Sequence, residues 1–339
     1  MAKHAGVIAA IAAGILLVLP VPATAQDAVG AGSSFIGPAM KRWTAMAASQ
    51  ASLSVTYDPV GSSRGQSKIL AREVDFGASD SPMSEETRAN ANLLQFPVVI
   101  GAVVCVVNVP GIATDQLRLN GPLLADIYTG KIKNWNDPKI AEINPGLKLP
   151  DMDIRPVSQT NLAGTTFVYT QYLLSTNAEW REKFGPAITK RWAIGSAVGS
   201  NTLMMETLKT LPGSIGYTDY GSAIANKYAA VLLQNKAGKY VTASPAHFSA
   251  GVDTAEWTKS PDLVVNLINQ PGDNAWPILT ASYVQIPVDP QDPSRAQAVR
   301  KFFDFAFTKG GQAATEAQFI PLPTPAQAAV RAMWNKTGS

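Results

Sequence analysis

Ala28-Val29-Gly30-Ala31-Gly32-Ser33-Ser34-Phe35 opens the part of the chain that decides the fold. A strand near 28–30 runs into glycine and serine, and a helical pattern over 38–48 follows at once. The same order recurs downstream, with a strand over 53–57, a helix over 67–72 and a short strand over 74–78 leading to Asp80. Strands alternating with crossover helices predict a mainly parallel sheet covered by helices. Ligands of such sheets sit outside the carboxyl ends of the strands. At those ends fall Gly30-Ala31-Gly32-Ser33-Ser34-Phe35 and Gly61-Ser62-Ser63-Arg64-Gly65, and Ala163-Gly164-Thr165-Thr166-Phe167 repeats their composition at a third helix start. Glycine admits a ligand close to backbone N–H groups, Ser and Thr add hydroxyl donors, and a helix N-terminus adds partial positive charge. One such junction is an ordinary N-cap; three of them beside a carboxylate outline an anion site.

Upstream, Lys3 and His4 precede an apolar stretch over 5–19 and then Ala23-Thr24-Ala25, the order of a secretory signal peptide occupying 1–25. The apolar run is short for a membrane span and is followed by Pro20 and Pro22. The rest of the 339-residue chain is longer than one domain usually holds, so two are expected. Residues 95–100 continue into the nearly all-apolar 101–109, a strand buried on both faces that leads into a second lobe. A similar passage over 275–278 and 281–286 brings the chain back. The expected division is therefore 26–98 with 279–339 in one lobe and 99–278 in the other, hinged at the two crossings. Helices over 294–306 and 324–334 close the first lobe, after a Pro- and Asp-rich loop over 288–293.

Several classes of function are disfavoured. Cys105 is the sole cysteine, which excludes an internal disulfide, and its valine neighbours predict a buried thiol. A net charge of +3 without a Lys/Arg cluster does not fit nucleic acid. Beyond the leader, His247 is the lone histidine, with no second ligand at metal spacing. No nucleophile elbow, Walker loop or dinucleotide fingerprint occurs. A secreted phosphatase would have to activate a Ser or Thr without a nearby His base, so binding without chemistry leads, with no catalytic residue, metal or cofactor expected.

Taken with Asp126-Ile127-Tyr128-Thr129-Gly130-Lys131-Ile132-Lys133-Asn134-Trp135-Asn136-Asp137-Pro138, Leu211-Pro212-Gly213-Ser214-Ile215-Gly216-Tyr217 and Phe302-Phe303-Asp304-Phe305-Ala306, these loops resemble the phosphate-binding subunit of the bacterial high-affinity phosphate ABC transporter, the PstS family. The resemblance covers nearly the whole chain after the leader. It implies a type II periplasmic binding protein, α/β and two-lobed, each lobe a mainly parallel sheet flanked by helices with hinge crossovers. It also implies a periplasmic monomer that captures inorganic phosphate, as HPO4 or H2PO4, for a membrane permease. The implied ligands are the Ser34 hydroxyl, the Phe35 N–H, Ser62, Asp80, Gly164 and Thr165.

Asp80 is read as the selectivity element, because a carboxylate facing an oxyanion accepts a hydrogen bond from the P–OH of phosphate and meets only acceptors on sulfate. The alternative is a cap for the helix after Pro82, a role open also to Ser84. The family's fourth segment reads Arg-x-Asp-Gly-Ser-Gly-Thr, whereas this chain has Gln159-Thr160-Asn161-Leu162-Ala163-Gly164-Thr165. Loss of the arginine at Gln159 should weaken binding by about one to two decades. It also fits a member that has turned to another phosphorus oxyanion, to an organic phosphate or to phosphate sensing. Arg64, two positions from Ser62, is expected to swing into the cleft and restore charge. Ala197 and Val198 are expected to reshape the pocket from the loop over 192–201.

Overall fold

A computed structural model describes residues 27–160, 164–185, 194–199, 201–260 and 262–336. The leader expected over 1–25, and the departures at Asn161 and Ala163, lie outside the described residues.

The opening segment alternates as its sequence predicts: β1 (Ala28–Gly32), α1 (Gly37–Ala51), β2 (Val55–Asp58), α2 (Ser62–Leu70), β3 (Phe76–Ser79) and α3 (Glu85–Asn90). β1 pairs in parallel with β2 on one side and β3 on the other. α1 forms because Pro38 suits a first turn and because Ala39, Met40, Trp43 and Ala47 recur on one face, which is buried. It ends where Ser52 takes a left-handed φ of 53°. α2 begins at Ser62, well before the expected 67, so the hydroxyl segment after Gly61 is the first turn of the helix rather than a loop leading to it. The following strand is correspondingly late, starting at Phe76 instead of 74.

β4 (Leu93–Asn108) is one strand of 16 residues, buried along nearly its whole length. It is followed by β5 (Arg155–Gln159), α4 (Gly164–Thr176), β6 (Ser196–Val198), α5 (Asn201–Thr210), β7 (Ser214–Asp219), β8 (Leu279–Pro287), α6 (Pro293–Lys309) and α7 (Thr324–Lys336), among shorter elements. Over Leu93–Ala102 β4 pairs antiparallel with β8, and over Val103–Asn108 it pairs antiparallel with β7. The ten-stranded path runs β2-β1-β3-β8-β4-β7-β5-β6, with the two-residue strands Ala229–Ala230 and Ile320–Pro321 also on β4. The parallel pairing expected to predominate holds on both flanks of this sheet. The centre is antiparallel because the strands that carry the chain out of one lobe and back must run opposite ways. Their ladder has one irregularity, a bulge between Ser282 and Tyr283.

Behind β1 and β3 the core is aromatic. Phe76 stands edge-on to Phe303 at 5.3 Å, and Phe96 edge-on to Trp334 at 5.2 Å, so α6 and α7 seal the sheet, and α1 packs beside α6, where Trp43 Nε1 donates to the Gly310 carbonyl at 3.0 Å. In the other half Tyr169 stacks on Tyr217 at 4.4 Å. Cys105 is buried in β4, and desolvation pushes its thiol up to about 12, as its valine surroundings predict.

Candidate functional site

The loop after β1, the first turn of α2, the end of β3, the end of β5 and the first turns of α4 and α5 meet at one cavity of about 790 Å³. Ser34, Phe35, Ser62, Arg64, Asp80, Gln159, Gly164 and Thr165, all singled out from sequence, line it together with Gly199, Asn201 and Thr202. The first-turn N–H groups of a helix have no partner within the helix, so α2, α4 and α5 turn donors and partial positive charge toward the same space.

The close approach of these loops depends on glycine. Gly32 has a φ of 148°, and a Cβ there would stand 2.0 Å from the Ala78 carbonyl oxygen. Gly65, one turn into α2, would drive its own Cβ to 2.4 Å from the Gly32 Cα. This pair lets α2 rest on the end of β1, which sets Ser62 beside Asp80.

Asp80 is 2 % exposed and sits just past β3. Ser33 Oγ donates to its Oδ1 and Oδ2 at 2.7 and 2.6 Å, Ser282 Oγ to Oδ1 at 2.6 Å, and Ser62 Oγ to Oδ2 at 3.2 Å. The Asp80 N–H donates in return to Ser62 Oγ at 3.2 Å, and Thr280 Oγ1 donates to the Asp80 carbonyl at 3.1 Å. Burial raises the carboxyl above its usual range; the Ser282, Ser33 and Ser62 hydroxyls oppose that rise, and the charge of Asp219 adds to it. Tyr57 fixes the first loop by donating to the Ser33 carbonyl at 2.7 Å. Asp80 does not cap α3; Ser84 does, accepting from the Thr87 N–H at 3.2 Å.

Ser34 is exposed and Phe35 buried, its ring edge-on to Phe319 at 5.3 Å. Gly164 faces Asp80 from the opposite wall so closely that a Cβ would lie 2.2 Å from Asp80 Oδ2.

Gln159 is buried at the end of β5. Its N–H donates to Tyr217 Oη at 3.2 Å, and that hydroxyl also meets Thr166 Oγ1 at 2.9 Å. Its amide Nε2 reaches Thr165 Oγ1 at 3.4 Å and Asn201 Oδ1 at 3.5 Å, both at the long limit of a hydrogen bond. Arg64 lines the cavity, is exposed and forms no ion pair among the described residues. Ala197 and Val198 do not line the cavity either. They form the edge strand β6 on β5, and it is Gly199 beyond them that reaches the site, while Trp192, Ala193 and Ser200 of that loop lie outside the described residues.

Ser33, Ser282, Thr280, Asn201 and Thr202 were not singled out from sequence. Ser33 stood in the quoted loop next to Ser34, and its small side chain one residue past β1 was the available signal. Ser282 and Thr280 carried none, because they arrive from about 200 residues away when β8 aligns antiparallel with β3. A second cavity, of about 380 Å³, is lined mainly by apolar side chains including Phe167, Leu174, Val264, Leu267 and Tyr283. Its one lining cation, Arg181, donates to the Leu174 carbonyl.

Residues 20–309 match the family model described as a PBP superfamily domain. The chain is 41 % identical over 310 residues to the phosphate-binding protein PstS of Pasteurella multocida, covering 91 % of this chain and 90 % of that one. It belongs to the PstS family. A second PstS, from Haemophilus influenzae, is 37 % identical over 312 residues, covering 92 % of this chain and 93 % of its own length. The fold is shared with the solved structure of a phosphate-binding protein from Stenotrophomonas maltophilia, at 20 % identity and a TM-score of 0.71, over 90 % of this chain and 93 % of that one. The two-lobed α/β architecture expected from the sequence is thus that of the family.

Proposed function

We propose that this chain captures inorganic phosphate in its cleft and delivers it to the membrane permease of a phosphate ABC transporter, working as a periplasmic monomer exported through residues 1–25. Curated relatives named as PstS over nine-tenths of the chain support this reading. The observation that carries it is the buried Asp80, held by three serine hydroxyls where helix N-termini converge. An anion site that contains a carboxylate suits an anion that still carries a proton.

In this reading the N–H groups of Ser34 and Phe35, the Ser34 and Ser62 hydroxyls and the first turn of α4 at Gly164 and Thr165 donate to phosphate oxygens, while Asp80 accepts from P–OH. Ser62 Oγ now donates to Asp80 Oδ2 across a long 3.2 Å, and turning that proton onto the ligand leaves Oδ2 with Ser33 as its remaining side-chain donor and a lone pair for P–OH. Gln159 lines the rear of the site and Arg64 its mouth, where an exposed cation raises the local concentration of anions. The lobes are 26–98 with 279–339 and 99–278, closing on the ligand by bending at the paired strands β4 and β8.

A hydrolytic reading finds little support in the geometry. His247 Nδ1 lies 2.7 Å from Ser244 Oγ and 3.2 Å from Thr242 Oγ1, outside the lining of the cleft. Titration calorimetry with phosphate, arsenate and sulfate tests the proposal. Binding of the first two and not of sulfate is expected, and no phosphate response below millimolar concentration would overturn it.

A further inference from the structure

The charge of the cleft is lopsided. Asp80 is its buried carboxylate, and Asp219 at the end of β7 is close enough for its charge to act on Asp80. The other acidic or titratable groups facing this corner are Tyr57 on β2, which holds the Ser33 carbonyl, and Asp58 next to it. Against them, Arg64 is the one cation among the described lining residues, and it is exposed. Solvent and salt screen an exposed charge far more than a buried one. Across the cleft the described polar lining side chains, Gln159, Thr165, Asn201 and Thr202, are all neutral. The helix N-termini offset Asp80 only with partial charges. A doubly charged ligand therefore meets a cavity in which the buried side chains among the described lining residues are net negative.

The polarity of the hydrogen bonds points the same way. In the phosphate reading Asp80 accepts one hydrogen bond from the ligand. On the facing wall Gln159 turns its Nε2 toward Thr165 Oγ1 and Asn201 Oδ1, and no described residue donates to its Oε1. An amide thus offers a second acceptor where a guanidinium would offer only donors. Building on the phosphate reading above, we infer that the cleft selects the singly charged, doubly protonated form, H2PO4−, over HPO4 2−, with Asp80 accepting one P–OH and Gln159 Oε1 the other. Gln159 is then a specificity-determining residue rather than a remnant of a lost ligand.

Phosphate affinity measured by calorimetry at constant ionic strength, across a pH series spanning the second ionisation of phosphate, tests this. If only the monoanion binds, the apparent Kd weakens by about tenfold per pH unit above that ionisation, as its share of total phosphate falls. Sulfate, which stays doubly charged and unprotonated throughout, is the control for uptake of a proton by Asp80. It should remain unbound at every pH. Gln159→Arg should tighten binding at the alkaline end by at least about tenfold and flatten the profile. A wild-type Kd that is flat, or tighter at alkaline pH, would overturn the inference while leaving phosphate capture intact. Sulfate gaining affinity in step with phosphate at low pH would overturn it too, by assigning the titration to Asp80. Absence of phosphate binding at every pH would instead refute phosphate capture itself.

Discussion

On the β3 side of the cleft three serines grip one carboxylate at 2.6 to 3.2 Å; on the β5 side Gln159 reaches its neighbours at 3.4 and 3.5 Å, without charge. The first wall is built from several hydrogen bonds, three of them short, to one buried carboxyl group, and they leave it little freedom. The second is an adaptable amide corner. In the proposed reading, discrimination between phosphate and sulfate belongs to the first wall, because there a wrong ligand meets a charged acceptor with no P–OH to donate to it. Affinity and preference for charge state belong to the second. One wall can therefore change in sequence without erasing the class of ligand, which is how a chain that departs from its family's pattern at Gln159 keeps the Asp80 cradle complete.

The sharpest way to break this division is Asp80→Asn. It replaces an acceptor-only group with one that can donate, so discrimination between phosphate and sulfate should fall by roughly a thousandfold, the scale of several kcal/mol set by an unpaired buried acceptor; competition calorimetry reads it. Next in size is Gly164→Ala, which inserts a Cβ 2.2 Å from Asp80 Oδ2 and forces the walls apart. Overpacking of this kind costs about 1–3 kcal/mol, so phosphate affinity should drop by about tenfold to a hundredfold, with a smaller change in Tm. If affinity is unchanged, the walls do not meet in the ligand-bound protein.

Ser282→Ala touches the cradle without touching the ligand. It removes one donor from Asp80 Oδ1 and should cost about 1.5 kcal/mol of stability while the carboxylate is ionised. Burial already raises Asp80 above its unfolded value, so its contribution to stability is fully present below the unfolded carboxyl range and is lost as pH rises through the folded value. With Ser282 gone the folded value rises further and the loss extends to higher pH, which Tm measured against pH will register. The smallest effect belongs to Arg64→Ala. A solvated cation at the mouth should change affinity only severalfold, and the change should vanish at high salt. A salt-independent loss of more than tenfold would mean that Arg64 enters the cleft, against its exposed position here.

Much of the β3 wall was legible in the chain. The glycine and serine junctions, the strand leading to Asp80 and the long apolar run of β4 are local patterns, and local patterns survive reading without a fold. α2 was misjudged because Gly65 is a poor helix interior by propensity, while the structure needs it there for the contact with Gly32. The cradle was half visible. Ser33 and Ser62 stand in the glycine and serine junctions that the sequence marks, but Ser282 reaches Asp80 through the antiparallel register of β8 on β3, a long-range pairing that no local spacing encodes. The same limit hid Asn201, which meets Gln159 only because β6 aligns beside β5 and delivers the start of α5 to the cleft.

The bulge between Ser282 and Tyr283 acquires a mechanical meaning here. β4 passes between the lobes as an uninterrupted strand, so the cleft opens by flexing a sheet, not by swinging on a slack tether. A flexed ladder yields first where its bonding is already irregular, and that point adjoins the serine that steadies Asp80. Prying the lobes apart would then loosen the grip on the carboxylate in the same stroke, so that in the proposed reading opening the cleft also weakens its hold on the ligand.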